Sequence, residues 1–524
     1  MLVKLRKPEC KLISKRNRVL KMSSKLMASR ELQRCEQFVG GQFVPSVSGE
    51  YFPLFNPENG QLAAEIANST PGDVENAVQV AKRAFKDSRW STHREARVRA
   101  LRGLASNIRQ NLPILVEAES RVTGRPIREM RAQLGRLPEW YDYFASIAET
   151  LEDAVPPFGS GYLNYTRREP LGVVGLLTPW NHPLLILTKK LAPALAAGNA
   201  VVIKPSELAP VTINMLAELM RDSGVPEGIV NVVHGLGSVA GKALAENPLL
   251  GKIDLTGGTP TGRAVAAAAG HNLIKVAAEL GGKASVIVFD DADFEAAVNG
   301  AVFAGYIAGG QTCVQGARVL VSEKMYERFA TAFAEKVSKL RVGPPLDIRT
   351  DVGPLIAERQ RDRVLSYIET GVREGATLAY GKAPVPPQGW YVCPTVFTDV
   401  TNAMTIAQEE IFGPVVCLLR YRTEEEAISL ANGTRYGLAM GIWTDDIRRA
   451  HRLATQLEAG VIWINDHHRI GPASPWGGYK DSGIGRENGI DCYKDYTQLK
   501  NIMVKTIPDE FDWFDGTASD KRYS

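Results

Sequence analysis

The chain has 524 residues, 44% of them apolar and 23% charged, with a formal net charge of +4, which is ordinary for a globular enzyme. This length exceeds what one hydrophobic core usually supports, so we expect at least two large domains. No apolar run approaches the roughly 18 to 20 residues that cross a bilayer, which argues against a membrane-spanning protein.

Most of the positive charge lies in the N-terminal 30 residues. They contain ten Lys or Arg residues and one acid, Glu9, so the rest of the chain carries a net charge of −5. A basic segment with few acids is typical of a mitochondrial targeting segment, a polyanion-binding tail or an inert extension. Met22 and Met27 also allow a later translation start. We therefore predict an extension over residues 1–35 and a cytoplasmic protein, with a mitochondrial location as the alternative.

Segments with strand-like and helix-like patterns alternate along the rest of the chain, as an α/β architecture requires. Residues 171–177 and 200–203 are short apolar runs that predict buried strands, and residues 184–197 between them predict a helix that ends at Gly198. A further strand is predicted over 253–256, followed by a glycine turn and a helix with Thr259 as N-cap and a proline next to it. A new strand run begins near residue 286, where we place the change from a cofactor domain to a catalytic domain.

Two short segments contain residue types for covalent aldehyde chemistry. Cys313 follows a run of small residues, and Glu279 lies 34 residues earlier, just before a pair of glycines. A thiolate can add to an aldehyde carbonyl as a thiohemiacetal, which loses hydride to a nicotinamide and becomes a thioester that a carboxylate-activated water hydrolyses. Taken singly, Cys313 is more often a buried small hydrophobe and Glu279 a surface carboxylate. The neighbouring glycines favour the functional interpretation, because they let a ligand approach the backbone closely.

Both segments resemble the paired active-site signatures of the NAD(P)-dependent aldehyde dehydrogenase superfamily, and the resemblance extends from about residue 42 to about residue 505. Further segments similar to that family follow in the same order: Thr178-Pro179-Trp180-Asn181-His182-Pro183, Lys204-Pro205-Ser206-Glu207, Thr256-Gly257-Gly258-Thr259-Pro260-Thr261-Gly262, Glu409-Glu410-Ile411-Phe412-Gly413-Pro414 and Pro475-Trp476-Gly477-Gly478-Tyr479-Lys480. Their shared order is a much stronger indication than any one short match. The resemblance implies an α/β fold with a Rossmann-like cofactor domain, an α/β catalytic domain and a small β oligomerisation arm.

The same resemblance implies domain limits and an assembly. We expect the NAD-binding domain over residues 36–155 and 175–282, the catalytic domain over 283–482, oligomerisation segments over 156–174 and 490–507, and a C-terminal tail over 508–524. The oligomerisation segments would be edge strands that are exposed in a monomer, and exposed edges favour pairing. We therefore predict a homodimer or homotetramer.

The implied cofactor is NAD, with contacts at Trp180, Lys204, Glu207, Gly257, Gly258, Gly262, Gln360, Glu410 and Phe412. Lys204 and Glu207 resemble the family's adenine-ribose contacts. A carboxylate at Glu207 would accept hydrogen bonds from the ribose hydroxyls and repel a 2′-phosphate, which favours NAD over NADP. Gly257 and Gly262 would permit close approach of the cofactor near a helix N-terminus. Gly258 stands where many members have serine, so one contact to phosphate would be missing.

The resemblance also implies catalytic roles. Cys313 would be the nucleophile, Glu279 the base for the deacylating water, and Asn181 a donor to the oxyanion together with the backbone N–H of Cys313. Lys190 matches a family lysine that is sometimes placed in a proton relay, and the alternative interpretation is a solvated helix lysine. Six scattered cysteines have no Cys-x-x-Cys pair, and the histidines His182, His451, His467 and His468 form no convincing metal set, so we predict no metal.

The predicted substrate tunnel departs from many family members. His182 and Lys189 stand where many general members carry aromatic residues, so an aromatic box for a cationic amino-aldehyde or betaine aldehyde is not expected. Basic residues gather at the predicted tunnel mouth: Lys189, His467, His468 and Arg469. They would suit an acidic or hydroxylated aldehyde. The alternative is that these groups face solvent or pair with Asp466.

Three other functions remain as alternatives. A CoA-acylating dehydrogenase would use the same thioester but has less need of a hydrolytic base, so Glu279 favours release of the free acid. An NADP-linked semialdehyde dehydrogenase is disfavoured by Glu207. A non-catalytic scaffold could keep the fold without activity, but the chain has the full set of expected site residues, which argues against it: Cys313, Glu279, Asn181 and Lys204. No nucleic-acid partner is predicted, because that interpretation would rest on the N-terminal charge alone.

Overall fold

The structure is a computed structural model that describes residues 33–508 and Phe514. The basic extension and the C-terminal tail predicted above therefore lie almost entirely outside the described residues. Within the described part of the chain, helices alternate with mostly parallel strands. The predicted α/β fold class is confirmed.

The strands are β1 (Gln33–Cys35), β2 (Gln37–Val39), β3 (Gln42–Val44), β4 (Tyr51–Phe55), β5 (Leu62–Ala67), β6 (Tyr162–Pro170), β7 (Val173–Thr178), β8 (Ala200–Pro205), β9 (Val230–Val232), β10 (Leu250–Thr256), β11 (Lys275–Glu279), β12 (Ser285–Val288), β13 (Arg318–Ser322), β14 (Thr377–Tyr380), β15 (Thr395–Thr398), β16 (Val415–Tyr421), β17 (Tyr436–Gly437), β18 (Ala439–Trp443), β19 (Val461–Ile464), β20 (Tyr479–Lys480), β21 (Gly483–Ile484) and β22 (Thr497–Lys505).

The α-helices are α1 (Pro71–Asp87), α2 (Arg94–Thr123), α3 (Ile127–Leu134), α4 (Leu137–Thr150), α5 (Pro183–Ala197), α6 (Val211–Asp222), α7 (Lys242–Ala245), α8 (Thr259–His271), α9 (Phe294–Tyr306), α10 (Tyr326–Val337), α11 (Glu358–Arg373), α12 (Thr405–Gln408), α13 (Glu424–Asn432), α14 (Ile447–Ala454) and α15 (Gly489–Asp495). A short π-helical segment lies at Gly237–Gly241 and a 3-10 turn at Ile307–Gly310. Among the described residues, no helix combines the length and the apolar character needed to cross a bilayer.

Two large sheets form the body of the molecule. The first has eight strands in the order β21-β11-β10-β7-β8-β9-β2-β3, in which β11, β10, β7, β8 and β9 run parallel. The second has seven strands in the order β14-β15-β16-β13-β12-β18-β19, in which only β14 pairs antiparallel. The chain passes from the first sheet to the second between Glu279 and Ser285, near the domain change predicted at residue 283. The domain limits themselves stay predictions.

Strands β7 and β8 lie in the middle of the first sheet, and every residue in both is buried. Full burial is expected of parallel strands with helices on both faces. Helix α5 connects them and is also buried throughout, with Pro183 at its first position. Gly198 ends this helix in a left-handed conformation with φ of 96°. The predicted helix and its glycine stop are confirmed.

Three parallel neighbours in this sheet end at one edge, where ligands of open α/β sheets usually bind. Strand β7 ends at Thr178, and the last residues of β10 and β11, Thr256 and Glu279, are paired in register. The loops after β7 and β10 therefore lie next to Glu279. This shared edge positions most of the residues predicted for the site.

The predicted start of helix α8 is wrong by one residue. Gly258, with extended backbone, is the N-cap, and Thr259 is already the first helical residue. The Thr259 hydroxyl donates to the backbone carbonyl of Asp481 at 3.1 Å. Thr259 does not cap the helix because its own backbone is already helical, whereas an N-cap residue has non-helical backbone angles.

Strands β6 and β22 pair antiparallel along their full lengths and form a separate two-stranded sheet. They correspond to the two segments predicted to mediate oligomerisation. Several of their large apolar side chains are exposed: Leu163, Leu499, Met503 and Val504. An exposed apolar two-stranded sheet fits the predicted role, while the assembly itself stays a prediction.

Candidate active site

Cys313 lies in a loop shaped by three consecutive residues, 308–310, with left-handed φ values of 57°, 61° and 71°. Gly310 cannot be replaced without distortion, because a Cβ there would lie 2.1 Å from the carbonyl oxygen of Gly413. The small residues before the cysteine therefore serve a backbone turn. That turn places the thiol at the edge where β7, β10 and β11 end.

Two cavities meet at Cys313, which lines both. The larger, about 210 Å³, is the cofactor-side cavity, and its lining includes Trp180, Asn181, Gly257, Gly258, Gln360, Glu410 and Phe412. The smaller, about 40 Å³, is the substrate-side cavity, and its lining includes His182, Lys189, Glu279, His468, Trp476 and Glu487. The structure thus brings the predicted nucleophile, base and oxyanion donor together with most of the predicted cofactor contacts.

Aromatic rings and a carboxylate form one wall of the cofactor-side cavity. The rings of Trp180 and Phe412 meet edge to face with their centroids 5.2 Å apart. Phe412 has a left-handed φ of 61°, and Gln360 Nε2 donates to its carbonyl at 2.8 Å. Glu410 accepts from the backbone N–H of Gly282 at 2.9 Å, and burial raises the pKa of Glu410 to about 7. The direct contacts of these residues to NAD stay predictions.

Three predicted cofactor residues lie outside the lining of this cavity. Lys204 and Glu207 form an ion pair at 3.4 Å near the end of β8, and Arg359 approaches the same carboxylate at 3.7 Å. Gly262 has a packing role, since a Cβ there would lie 2.4 Å from the side chain of Leu280. Its predicted contact with the cofactor stays a prediction.

Asn181 is buried and its amide is held in place. Its Nδ2 donates to the carbonyl of Gln311 at 2.9 Å, two residues before the nucleophile. Because Asn181 and Cys313 both line the cofactor-side cavity, the amide lies beside the nucleophile loop. This position is compatible with donation by Asn181 to the oxyanion. That role stays a prediction.

Glu279 ends β11 and is buried in the wall of the substrate-side cavity. One of its carboxyl oxygens, Oε2, has no hydrogen-bond partner in the described part of the chain. Burial, reinforced by the charge of Glu487, raises the pKa of Glu279 well above its ordinary value. A carboxylate that is more basic than usual and lies near a thiol is suited to accept a proton.

Buried charges of both signs lie behind Glu279. The Lys189 ammonium pairs with Glu487, and Lys190 pairs with both Asp254 and Glu487, the latter at 2.7 Å. Burial by itself would raise the pKa of Glu487, but Lys189 and Lys190 hold it below its usual value. Burial likewise would lower the pKa of Lys190, but Asp254 and Glu487 raise it. The interpretation of Lys190 as a solvated helix lysine is wrong, because its side chain is fully buried.

Burial raises the pKa of the Cys313 thiol to about 12, and the charge of Glu410 acts in the same direction. The thiol therefore predominates over the thiolate at neutral pH in this state. Attack on a carbonyl consequently requires removal of the thiol proton. The ammonium of Lys189 opposes this shift.

The four basic residues predicted at the tunnel mouth have different surroundings. Lys189 and His468 line the substrate-side cavity. His467 donates its Nε2–H to a backbone carbonyl of the nucleophile loop at 2.7 Å. Arg469 is largely exposed and pairs with Asp466 at 2.9 Å. The alternative prediction, pairing with Asp466, is therefore confirmed for Arg469. The four basic residues do not all line the substrate-side cavity.

Two residues of the site, Arg363 and Glu487, were not predicted from the sequence. Arg363 lines the cofactor-side cavity and donates to the backbone carbonyl of Glu410 at 2.8 Å. Its spacing of three residues from Gln360 on a helix could have indicated a shared face. Glu487 had no comparable signal. It lies seven residues after the Pro475-to-Lys480 segment, but its side chain meets Lys189 and Lys190 only through the fold.

Comparison with known proteins agrees with this geometry. The aldehyde dehydrogenase family matches residues 43–502. The chain is similar to the betaine aldehyde dehydrogenases of Brucella anthropi and Brucella ovis, each 42% identical over 479 residues, which are 90% of this chain and 97% of the relative. It is also similar to the structure of betaine aldehyde dehydrogenase from Staphylococcus aureus in complex with NAD+, with a TM-score of 0.90 and 37% identity over 94% of this chain and 98% of the other.

A second similar structure is the NAD+ complex of aldehyde dehydrogenase from Bacillus cereus, with a TM-score of 0.90 and 38% identity over 93% of this chain and 98% of the other. The family match covers nearly all of the described residues. It includes the loop with Cys313, the strand that ends at Glu279 and the residues around both cavities. The chain therefore belongs to the aldehyde dehydrogenase family.

Proposed function

We propose that this chain oxidises an aldehyde to the carboxylic acid with NAD, through a thioester on Cys313. The observation that carries this proposal is that Cys313 lines both cavities. One thiol thus borders a site suited to a nicotinamide and a second site suited to an aldehyde. Two similar structures contain NAD+, which supports NAD as the cofactor.

The residues of the cofactor-side cavity fit a nicotinamide and its ribose. Trp180 and Phe412 provide apolar ring surfaces, and Gly257 leaves the backbone open to a ligand. The hydroxyl of Thr256 is buried and has no hydrogen-bond partner among the described residues, so it is available to a ligand. Glu207 would bind the adenine ribose near the end of β8. When bound, the oxidised nicotinamide supplies the hydride acceptor.

The side chains of this protein then account for the remaining chemistry. The Cys313 thiol gives its proton to water, and the sulfur bonds to the aldehyde carbon, forming a thiohemiacetal. Asn181 Nδ2 and the Cys313 backbone N–H donate to the new oxyanion, and one such donor is typically worth about 100- to 1,000-fold in rate. Hydride leaves this carbon and a thioester remains. Ionised Glu279 takes one proton from water as the water oxygen attacks the thioester, and the carbon–sulfur bond breaks to release the acid and the Cys313 thiolate.

The substrate is proposed to be uncharged or hydroxylated, although the similar Brucella proteins are named for betaine aldehyde. Trp476 is the one large aromatic ring among the described residues that line the substrate-side cavity, and a lysine ammonium lies over it. A trimethylammonium group needs several aromatic faces or a carboxylate for binding. Of the two carboxyl groups in this lining, Glu487 is already paired with two lysines, and burial raises the pKa of Glu279, which makes it less ionised than an ordinary carboxyl group.

The test is to incubate the purified chain with NAD and a panel of aliphatic, aromatic, hydroxylated, acidic and trimethylammonium aldehydes. We expect NADH to form and the free acid to accumulate, with the same rate whether CoA is present or absent. Absence of NADH with every aldehyde would reject the proposal. Formation of an acyl-CoA instead of the acid would favour the acylating alternative.

We also propose a homodimer or homotetramer assembled through β6 and β22, and a cytoplasmic location. The exposed apolar residues of this two-stranded sheet support the assembly. An aldehyde substrate and soluble NAD are compatible with the location. Import into mitochondria would depend on the N-terminal residues, which lie outside the described part of the chain.

A further inference from the structure

His182 lies between a buried arginine and the substrate-side cavity. It directly follows Asn181, is 4% exposed, and lines the cavity next to Cys313. Arg125 Nη1 lies 2.5 Å from His182 Nδ1, and the amide of Gln133 lies beside the same nitrogen, with its Nε2 at 3.0 Å and its Oε1 at 3.3 Å. Arg125 is itself buried and pairs with Glu129 at 3.0 Å, so the guanidinium is held in place from the other side.

These contacts determine which ring nitrogen carries hydrogen. A guanidinium offers only donors, so His182 Nδ1 must be the acceptor and the hydrogen of the neutral ring is on Nε2. Burial lowers the pKa of His182 well below its ordinary value, and the charge of Arg125 acts in the same direction. The ring is therefore neutral at physiological pH. It presents an N–H that Arg125 and Gln133 orient.

The Nε2 atom of His182 has no hydrogen-bond partner in the described part of the chain. A buried donor without an acceptor is unfavourable, and such groups in native proteins usually mark a missing ligand or water. Because the ring borders the cavity that receives the aldehyde, a substrate oxygen is the acceptor that this position would favour.

The charges of the other cavity residues indicate what kind of oxygen fits. The Lys189 ammonium is already paired with Glu487. His468 Nε2 lies 3.3 Å from the Thr312 hydroxyl, and burial lowers the pKa of His468 to about 3, so this ring is neutral too. Glu279 adds a carboxyl oxygen without a hydrogen-bond partner among the described residues, which would repel an acidic substrate. A wall with these groups favours an uncharged oxygen over a carboxylate.

We propose that His182 determines specificity for hydroxylated aldehydes, by donating its Nε2–H to a hydroxyl oxygen of the substrate. This inference rests on the proposed function, since it names the substrate class of the same site. Arg125 and Gln133 are positioning residues, which act by holding the ring in one tautomer. The aldehyde group of the same substrate is held at Cys313.

The experiment compares aldehydes in pairs that differ only by the hydroxyl. Lactaldehyde is paired with propionaldehyde, 3-hydroxybutyraldehyde with butyraldehyde, and 3-hydroxybenzaldehyde with benzaldehyde, with succinic semialdehyde as a carboxylate probe. The quantity measured is kcat/KM with NAD, corrected for the hydrated fraction of each aldehyde. We expect the wild type to prefer the hydroxylated member of at least one pair by about 10- to 100-fold.

Two variants test the role of the ring. His182→Phe keeps an aromatic ring without the donor and should abolish the preference, while His182→Gln keeps a donor and should restore part of it. The control His451→Phe, at an exposed histidine of α14, should keep the full preference. A folding defect lowers kcat/KM for both members of a pair equally, so the ratio within a pair isolates the hydrogen bond.

The possible outcomes separate this inference from the proposed function. Turnover of plain aldehydes without a hydroxyl preference in the wild type would overturn the inference alone. So would a preference that survives in His182→Phe, or a stronger preference for succinic semialdehyde than for any hydroxylated aldehyde. No NADH from any aldehyde would overturn the proposed function, and the inference with it.

Discussion

The ammonium of Lys189 lies 4.5 Å from the ring centroid of Trp476, in the substrate-side cavity beside Cys313. The same ammonium pairs with Glu487. The aromatic face that could bind a cationic substrate is thus already in contact with a cation of the protein. In this respect the site differs from an aromatic cage that binds quaternary ammonium groups, in which the ring faces are open to the ligand.

We predict that betaine aldehyde is a poor substrate because its trimethylammonium group would lie close to Lys189. The neutral compound 3,3-dimethylbutanal has nearly the same shape and should have a kcat/KM at least about tenfold higher, which corresponds to about 1.4 kcal/mol. Lys189→Met should reduce or invert this difference, because Glu487 would then be less neutralised. Steady-state kinetics with both aldehydes checks this, and a wild-type preference for betaine aldehyde would contradict it.

Replacement of the nucleophile should remove turnover. We expect Cys313→Ser to lower kcat by about 1,000-fold or more, because a serine hydroxyl is far less nucleophilic than a thiolate at neutral pH. Binding of NAD, measured by calorimetry, should be unchanged. The matched control is Cys393→Ser, at a cysteine outside the lining of both cavities, which should stay active. Near-normal turnover by Cys313→Ser would reject the assignment.

Replacement of the base should separate the two halves of the reaction. In Glu279→Gln the thioester should form but hydrolyse about 100-fold more slowly, so a burst of NADH should precede a weak steady state. Because the pKa of Glu279 is raised well above 4.5 and only the ionised form accepts a proton, wild-type deacylation should increase with pH and level off above that pKa. Stopped-flow measurement of NADH over a pH series tests both points. A variant with the wild-type burst, steady rate and pH profile would exclude Glu279.

Cofactor choice should depend on Glu207. A 2′-phosphate near this carboxylate is repelled in a partly dehydrated site, so NAD should have the higher kcat/KM, with each factor of ten equal to about 1.4 kcal/mol. Glu207→Ser should lower the NAD/NADP ratio, since Lys204 and Arg359 would then face the phosphate without the carboxylate. The control is Glu327→Ser, at an exposed glutamate of α10, which should leave the NAD/NADP ratio unchanged. Equal or better use of NADP by the wild type would show that Glu207 does not contact the ribose.

The two-stranded sheet of β6 and β22 should mediate assembly. We expect light scattering to give the mass of a dimer or tetramer for the wild type, and Leu499→Lys to shift the distribution toward smaller species by placing a charge on the apolar face. Ile447→Lys introduces the same charge at an exposed isoleucine of α14 and should leave the mass unchanged. A wild type that is only a folded, active monomer would disprove the predicted assembly.

Much of the fold and the reacting groups follows from local sequence. The apolar runs that became β7 and β8 are buried on both faces, and Gly198 ends the helix between them because a left-handed residue is needed there. Cys313 and Glu279 were recognisable from their small neighbours and from the resemblance. Such signals depend on a few adjacent residues, so no knowledge of distant contacts is required.

The electrostatic state of the site was decided only by tertiary structure. Lys189 and Lys190 are adjacent on α5, and sequence alone could not distinguish buried lysines from solvated ones. Burial is tolerated because Glu487, from a loop nearly 300 residues later, supplies the opposite charge. In the same way, Arg125, 57 residues earlier, donates to Nδ1 of His182, which leaves the hydrogen of the neutral ring on Nε2. The helical period predicts which residues share a face. The charged groups that contact that face depend on which distant segments of the chain pack against it.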